Sequence, residues 1–141
     1  MGRINYGRVI LGGIVAGIVI NVSEFVLNGV VLSKDLVAAM AALGKQDAMG
    51  PNKMAIWIVY GFILGIAMIW LYAAIRPRYG PGGRTAFRAG LAVWFLAYFL
   101  SAVANGNLAL FPTRLLAISA VWGLFELPIA AAIGAYFYRE P

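Results

Sequence analysis

Four long runs of apolar residues alternate with short polar stretches along the chain. The runs cover residues 9–32, 55–75, 89–110 and 115–138. A helix rises about 1.5 Å per residue, so roughly 20 apolar residues are enough to cross the hydrocarbon core of a bilayer. We therefore predict an all-α protein, a four-helix transmembrane bundle that forms a single domain over residues 1–141.

The composition and the placement of charge favour a membrane protein over a soluble one. Of the 141 residues, 63% are hydrophobic, and the mean hydropathy is +0.88. Eleven Lys and Arg against five Asp and Glu give a net charge of +6. Because these charges lie between the apolar runs and not on one soluble face, we predict contact with lipid and no binding of nucleic acid.

The absence of two residue types narrows the chemistry. The chain contains no cysteine and no histidine, which excludes disulfides, thiol catalysis, iron–sulfur clusters, histidine-ligated haem and histidine-containing zinc sites. No cofactor motif or set of metal ligands is recognisable. We predict that the protein is not an enzyme and has no catalytic residue, metal or cofactor. An enzyme that uses two glutamates as acid and base on a lipid is the least favoured alternative.

The distribution of basic residues predicts the orientation. Short cytoplasmic loops of membrane proteins carry an excess of Lys and Arg. Four basic residues lie in the loops after the first and third runs, whereas seven lie at the two ends of the chain and in the central loop. We therefore predict a multi-pass protein of a bacterial-type inner membrane with both termini cytoplasmic. The seven are Arg3, Arg8, Arg76, Arg78, Arg84, Arg88 and Arg139.

The central loop, residues 76–84, is rich in proline and glycine and is typical of a turn. Thr85 follows it as a possible cap for the third helix. The four arginines of this region are expected to contact anionic lipid headgroups, and they are Arg76, Arg78, Arg84 and Arg88.

The first outer loop, residues 33–54, is too long for a simple connection. Leu36, Met40 and Leu43 share one helical face, which predicts a short amphipathic helix. This helix lies either in the outer headgroup region or against the bundle.

Small residues recur at a spacing of four in the first two runs, a pattern that lets helices approach closely. We predict helix-packing contacts at Gly13, Gly17, Gly61 and Gly65. The neighbour is either a helix of the same chain, a second copy in a homodimer, or another membrane subunit.

Two acidic residues lie inside the apolar runs, Glu24 in the first and Glu126 in the fourth. An ionisable group at this depth costs about 2.5 to 3.5 kcal/mol unless it finds a partner or water. Helical spacing places other polar residues on the same faces. The predicted intramembrane polar or proton site comprises Asn21, Glu24, Asn28, Asn105, Trp122 and Glu126.

The predicted spans offer these glutamates no Lys, Arg or His as a partner. We expect at least one of the two to carry a proton at neutral pH, because burial and a neighbouring like charge both favour the neutral form. One interpretation is a proton-coupled or cation-binding site, and the other is a hydrogen-bonded pair that holds the helices together.

Length, four spans and the membrane-embedded Glu24 resemble the small multidrug resistance transporters, whose dimers exchange protons for cationic drugs. That family joins its first two helices by a short loop, whereas residues 33–54 intervene here, and Glu126 has no counterpart in it. Separately, the segment GGRTAFRAGL at 82–91 is similar to uncharacterised four-helix bacterial inner-membrane proteins with domains of unknown function. This second resemblance implies an architecture and no activity.

These observations leave two functions open. The first is a structural or accessory component of the inner membrane. The alternative is a proton-coupled transporter of small cationic or amphipathic molecules that uses Glu24 and Glu126.

Overall fold

The computed structural model describes residues 2–141, and this part of the chain is all helical, without a β-strand. The predicted all-α class is confirmed, and so are four helices long and apolar enough to cross a membrane. A short helix and a 3₁₀ turn at Gln46–Met49 lie between the first two of these. The helices are α1 (Tyr6–Val31), α2 (Ser33–Ala42), α3 (Pro51–Tyr79), α4 (Gly83–Asn107) and α5 (Thr113–Tyr136).

Local signals fix the helix ends beyond the apolar runs. The side chain of Asn5 caps α1 by accepting a hydrogen bond of 3.2 Å from the backbone N–H of Arg8. Helix α3 starts at Pro51, a position where the missing N–H of proline costs nothing, and ends before Gly80, which has a positive φ of 81°. Its 29 residues span about 43 Å, which exceeds the thickness of about 30 Å of a hydrocarbon core.

The predicted glycine contacts lie within one chain, between α1 and α3. A Cβ atom on Gly65 would strike the backbone of Gly13 and Gly17, and one on Gly13 would strike the backbone of Ile66. The two helices therefore touch backbone to backbone. Gly61 faces the side chain of Asn21 in the same interface.

A second close contact joins α4 to α5. A Cβ atom on Gly90 would meet the backbone of Leu127 and Pro128. Glycines therefore bring the helices close together. Between them, five apolar residues are fully buried, namely Ala16, Met68, Ile69, Leu127 and Ala130.

Both ends of the chain and the loop between α3 and α4 meet at one end of the bundle. The backbone N–H of Asn5 donates to the hydroxyl of Tyr138 at 3.3 Å, and Arg76 forms an ion pair of 3.1 Å with Glu140. We call this the terminal end (residues 2–8, 76–88 and 137–141). It carries the seven arginines that the sequence groups together, and its cytoplasmic location stays a prediction.

Thr85 has a role that the sequence did not suggest. Its hydroxyl donates to the carbonyl of Gly80 at 2.7 Å and lies 3.3 Å from that of Tyr79. The prediction that Thr85 caps the start of α4 is wrong, because Gly82 occupies that position and Thr85 donates to the carbonyl of Gly80, the residue that follows α3.

The other end of the bundle, called the loop end, holds α2 and the connection between α4 and α5. Asp35 of α2 forms an ion pair of 3.5 Å with Arg114 at the start of α5. Asp47 lies in the 3₁₀ turn, and the ammonium group of Lys53 in α3 is 3.3 Å from its carboxylate. The hydrogen bond and the charge of Lys53 lower the pKa of Asp47. A helix therefore occupies the long connection, and its outer location stays a prediction.

Packing is uneven along the bundle. All ten residues at positions 51–60 are exposed, so the first third of α3 adds no buried side chain to the core. The core lies in the terminal half and around the middle of the spans. Side chains are therefore less buried in the half nearer the loop end.

Candidate functional site

Polar side chains from three spanning helices converge near the middle of the bundle. Glu126 lies about 2 Å along the axis from the midpoint of α5, and Tyr98 about 4.5 Å from the midpoint of α4. Glu24 of α1 reaches the same point. We call the group the carboxyl cluster, and it comprises Ser23, Glu24, Asn28, Tyr98, Trp122 and Glu126.

The hydroxyl of Tyr98 stands between the two carboxyl groups. Its oxygen lies 3.1 Å from Oε1 of Glu24 and 3.0 Å from Oε1 of Glu126. The phenol therefore joins two acidic residues that belong to the first and the last span.

The second oxygen of each carboxyl has its own donor. Ser23 donates to Oε2 of Glu126 at 2.5 Å, and its oxygen accepts a bond of 2.8 Å from the indole N–H of Trp122. Asn28 donates to Oε2 of Glu24 at 2.8 Å. Each of the four carboxyl oxygens thus has a hydrogen-bond partner.

The hydrogen bonds of Tyr98 constrain the protonation of the two carboxyl groups. Tyr98 carries one hydroxyl hydrogen, yet its oxygen contacts two carboxyl oxygens. It can donate to only one, so the other contact is favourable only if that carboxyl itself carries a hydrogen and donates to the phenol. Two ionised carboxylates would leave acceptors facing each other away from water, which is costly. The geometry therefore suits a pair that holds one proton.

No basic side chain neutralises the pair. Glu126 is only 5% exposed, and no ion pair within residues 2–141 involves Glu24 or Glu126. The three ion pairs of that range all lie at the ends of the bundle. The cluster is therefore a negative or proton-bearing site without a built-in counter-charge.

Two π-helical turns contain residues of the carboxyl cluster. Residues Leu27–Val31 of α1 include Asn28, and residues Phe95–Phe99 of α4 include Tyr98. A π turn inserts an extra residue and shifts the side chains that follow it, and such turns are frequent at functional sites. The local backbone irregularity therefore coincides with the polar contacts.

Helix α5 makes room for the ring of Tyr98. A Cβ atom on Gly123 would strike the ring of Tyr98 and approach that of Trp94. The indole N–H of Trp94 donates to the backbone carbonyl of Ala120 at 2.8 Å and so fixes α4 against α5. The phenol can therefore lie across α5 and reach both carboxyls.

An open groove of about 630 Å³ runs along α5 beside the cluster. Its apolar wall is strongly exposed on the side of the bundle, where Phe125 is 65% exposed. Ser23 and Glu126 are the hydroxyl and carboxyl groups that it reaches. The residues of this α5 groove are Ser23, Ala117, Ile118, Val121, Trp122, Phe125, Glu126 and Ile129.

The structure brings four of the six predicted polar residues together and places two elsewhere. Asn21 donates to the backbone carbonyl of Ile58 in α3 at 3.1 Å, and Asn105 donates to that of Ser101, one turn back in its own helix, at 2.8 Å. Neither contacts the cluster. The sequence did not single out Ser23 or Tyr98 for it, although a hydroxyl adjacent to an intramembrane acid is a usable signal for Ser23.

The four arginines predicted at lipid headgroups differ in their surroundings. Arg76 is largely covered, paired with Glu140 and positioned 5.5 Å from the ring of Tyr138. The guanidinium of Arg88 lies 4.7 Å above the ring of Tyr79. Like Arg88, the two remaining arginines, Arg78 and Arg84, are exposed at the terminal end.

Comparison with known proteins gives no match to a protein family, to a curated protein or to a solved structure. The two resemblances drawn from the sequence therefore stay predictions. What the fold defines is a multi-pass, all-helical membrane protein.

Proposed function

We propose that the protein is a proton-coupled carrier of small cationic or amphipathic molecules in a bacterial-type inner membrane. Glu24 and Glu126 bind the cation and exchange it for a proton. The observation that carries the proposal is the shared hydroxyl of Tyr98, which holds the two carboxyls at one point without a basic partner.

The chemistry of the cluster supports exchange. A carboxyl pair with one proton can release it when a cation arrives, because the cation then supplies the positive charge between the two groups. Amide side chains would hold helices together at a lower cost of burial than acids. The use of two glutamates is therefore better matched to a change of charge than to a purely structural contact.

The orientation belongs to the same proposal. Seven arginines at the terminal end against four basic residues at the loop end favour cytoplasmic termini. The exposed Arg78, Arg84 and Arg88 then contact anionic lipid headgroups on the cytoplasmic side. Each full cycle carries a bound cation and a proton in opposite directions across the membrane.

Release of protons on binding tests the proposal. Purified protein in weakly buffered nanodiscs is mixed with the chlorides of tetraethylammonium, butylammonium or dodecylammonium, and a pH-indicator dye follows the medium. We expect about one proton per bound cation for at least one of these salts. Glu126→Gln should abolish the release and stay folded, while Glu140→Gln at the terminal end should keep it. Absence of release with all three salts overturns the proposal.

A structural or accessory role is the second candidate, and the lateral position of the α5 groove favours it. A helix of another protein would fit against exposed apolar residues such as Phe125 and place a basic side chain at Glu126. Native mass spectrometry of protein extracted gently from its own membrane separates the two. Foreign subunits at a fixed stoichiometry support the accessory role, whereas a homodimer or monomer alone supports the carrier.

A further inference from the structure

We propose that the ligand is a lipophilic amine that enters from the bilayer through the α5 groove, with its ammonium group at Glu126 and its alkyl chain along α5. The inference rests on the proposed function, because it takes the carboxyl cluster as the place where cation and proton exchange. It adds the substrate class and the route.

The wall of the groove fits an alkyl chain. Val121, Phe125 and Ile129 are spaced four residues apart, so they form one line on a single face of α5, about 12 Å long. Each is more than half exposed, so the chain of a ligand can reach this line from the side of the bundle. An apolar chain placed there loses contact only with lipid, and any preference for it comes from packing in the groove.

The floor of the groove fits a cation. Of the groove's residues, Glu126 alone is acidic, and it lies next to the hydroxyl of Ser23. Trp122 adds an indole ring, whose face attracts cations and whose N–H is already held by Ser23. A molecule with a positive head and an apolar tail therefore finds a counterpart for each part.

Along the bundle axis, buried apolar side chains lie on both sides of the cluster. Toward the terminal end the core is closed by Met68, Ile69 and Leu127, none of which is exposed. Toward the loop end, Leu27 and Leu32 of α1 are buried as well. The side of the bundle at α5 is where the structure shows an opening to Glu126.

Ser23 is a positioning residue in this scheme. Its hydroxyl donates a hydrogen bond to Oε2 of Glu126, and Ser23 itself lines the groove. An arriving ammonium group takes over this acceptor and donates a second hydrogen bond to the oxygen of Ser23. Binding at the groove is thereby linked to the proton held by the carboxyl pair.

The experiment compares three probes in phosphatidylcholine nanodiscs. Dodecylammonium has both charge and chain, butylammonium has the charge with a short chain, and dodecanol has the long chain without charge. We expect dodecylammonium to bind at least about tenfold more tightly than either of the others after correction for partition into lipid, where tenfold corresponds to about 1.4 kcal/mol.

A matched pair of variants tests the route. Val121→Trp fills the groove and should weaken dodecylammonium binding by about tenfold or more. Leu96→Trp places the same side chain at a comparably exposed site on α4 outside the groove and should leave binding within about twofold. Ile118→Trp fills the same groove one turn earlier on α5, should Val121→Trp fail to fold.

The outcomes separate this inference from the proposed function. Proton release that is equal for butylammonium and dodecylammonium, and unchanged in both groove variants, overturns the lateral route but keeps the carrier. Dodecanol that competes as well as dodecylammonium overturns the amine as ligand. Failure of every cation to release protons overturns the carrier and this inference together.

Discussion

Glu126 accepts a hydrogen bond of 2.5 Å from Ser23, a residue 103 positions earlier in the chain. This contact joins the last spanning helix to the first. Because Ser23 also accepts from Trp122, one small hydroxyl satisfies two polar groups of α5. The same atoms therefore contribute to the stability of the bundle and to the chemistry of the carboxyl pair.

Removal of the Ser23 hydroxyl should expose this double role. Ser23→Ala leaves Oε2 of Glu126 without a donor and the indole N–H of Trp122 without an acceptor. Unsatisfied buried polar groups cost about 1–3 kcal/mol each. We expect a lower midpoint of thermal unfolding in detergent and a shift of the tryptophan fluorescence. Ser101→Ala, at an exposed site on α4, is the control and should change stability by less than about 0.5 kcal/mol. Equal midpoints for the two variants would contradict the contact.

Tyr98→Phe tests the bridge between the carboxyls. The ring keeps its place against Gly123 while the hydroxyl shared by Glu24 and Glu126 is lost. We expect a loss of stability of about 1–3 kcal/mol and a change in the number of protons released per bound cation. Tyr136→Phe, at the most exposed tyrosine, should alter neither quantity. Proton release identical to wild type in Tyr98→Phe would show that the two carboxyls act independently.

The apolar runs were sufficient to predict four spanning helices, since bilayer thickness and helical rise set their length. Their ends were harder to predict, because polar turns such as those of Asn52 and Arg76 continue α3 beyond its apolar run. Glu24 and Glu126 stood out because acids are rare at such depth.

The remainder of the site depends on tertiary structure. Tyrosine is ordinary in a membrane helix, and nothing in the local pattern reveals that Gly123 leaves space for the ring of Tyr98 or that a π turn shifts it. Asn21 shares a helical face with Glu24, yet a backbone carbonyl of α3 lies closer to it than the cluster does. Helical spacing identifies a face but not the partner that meets it.

The contact between α1 and α3 predicts a large cost for adding one methyl group. Gly65→Ala would press a Cβ atom into the backbone of Gly13 and Gly17, where no side chain can move aside. Overpacking of this kind costs about 1–3 kcal/mol. Gly29→Ala is the matched control, because its Cβ atom would meet only the side chain of Phe25 at an ordinary 3.6 Å. Unfolding by denaturant in mixed micelles measures both, and equal stabilities would refute the backbone contact.

The lack of cysteine makes the orientation directly testable. In cells with a permeabilised outer membrane, an impermeant maleimide should label Gln46→Cys at the loop end. It should label Pro141→Cys at the terminal end only after the inner membrane is opened. The reverse pattern would place the termini outside.

Charge removal tests the cause of that orientation. Replacing Arg78, Arg84 and Arg88 by glutamine lowers the seven basic residues of the terminal end to four, equal to the four at the loop end. Because the difference in Lys and Arg sets the orientation, this variant should insert in both directions, and both cysteine sites should then react partly in intact cells. Replacing Lys45 and Lys53 by glutamine instead widens the difference and should leave the labelling pattern of the parent. A single orientation in the arginine variant would mean that the order of insertion of the helices, and not the charge difference, decides which side the termini occupy.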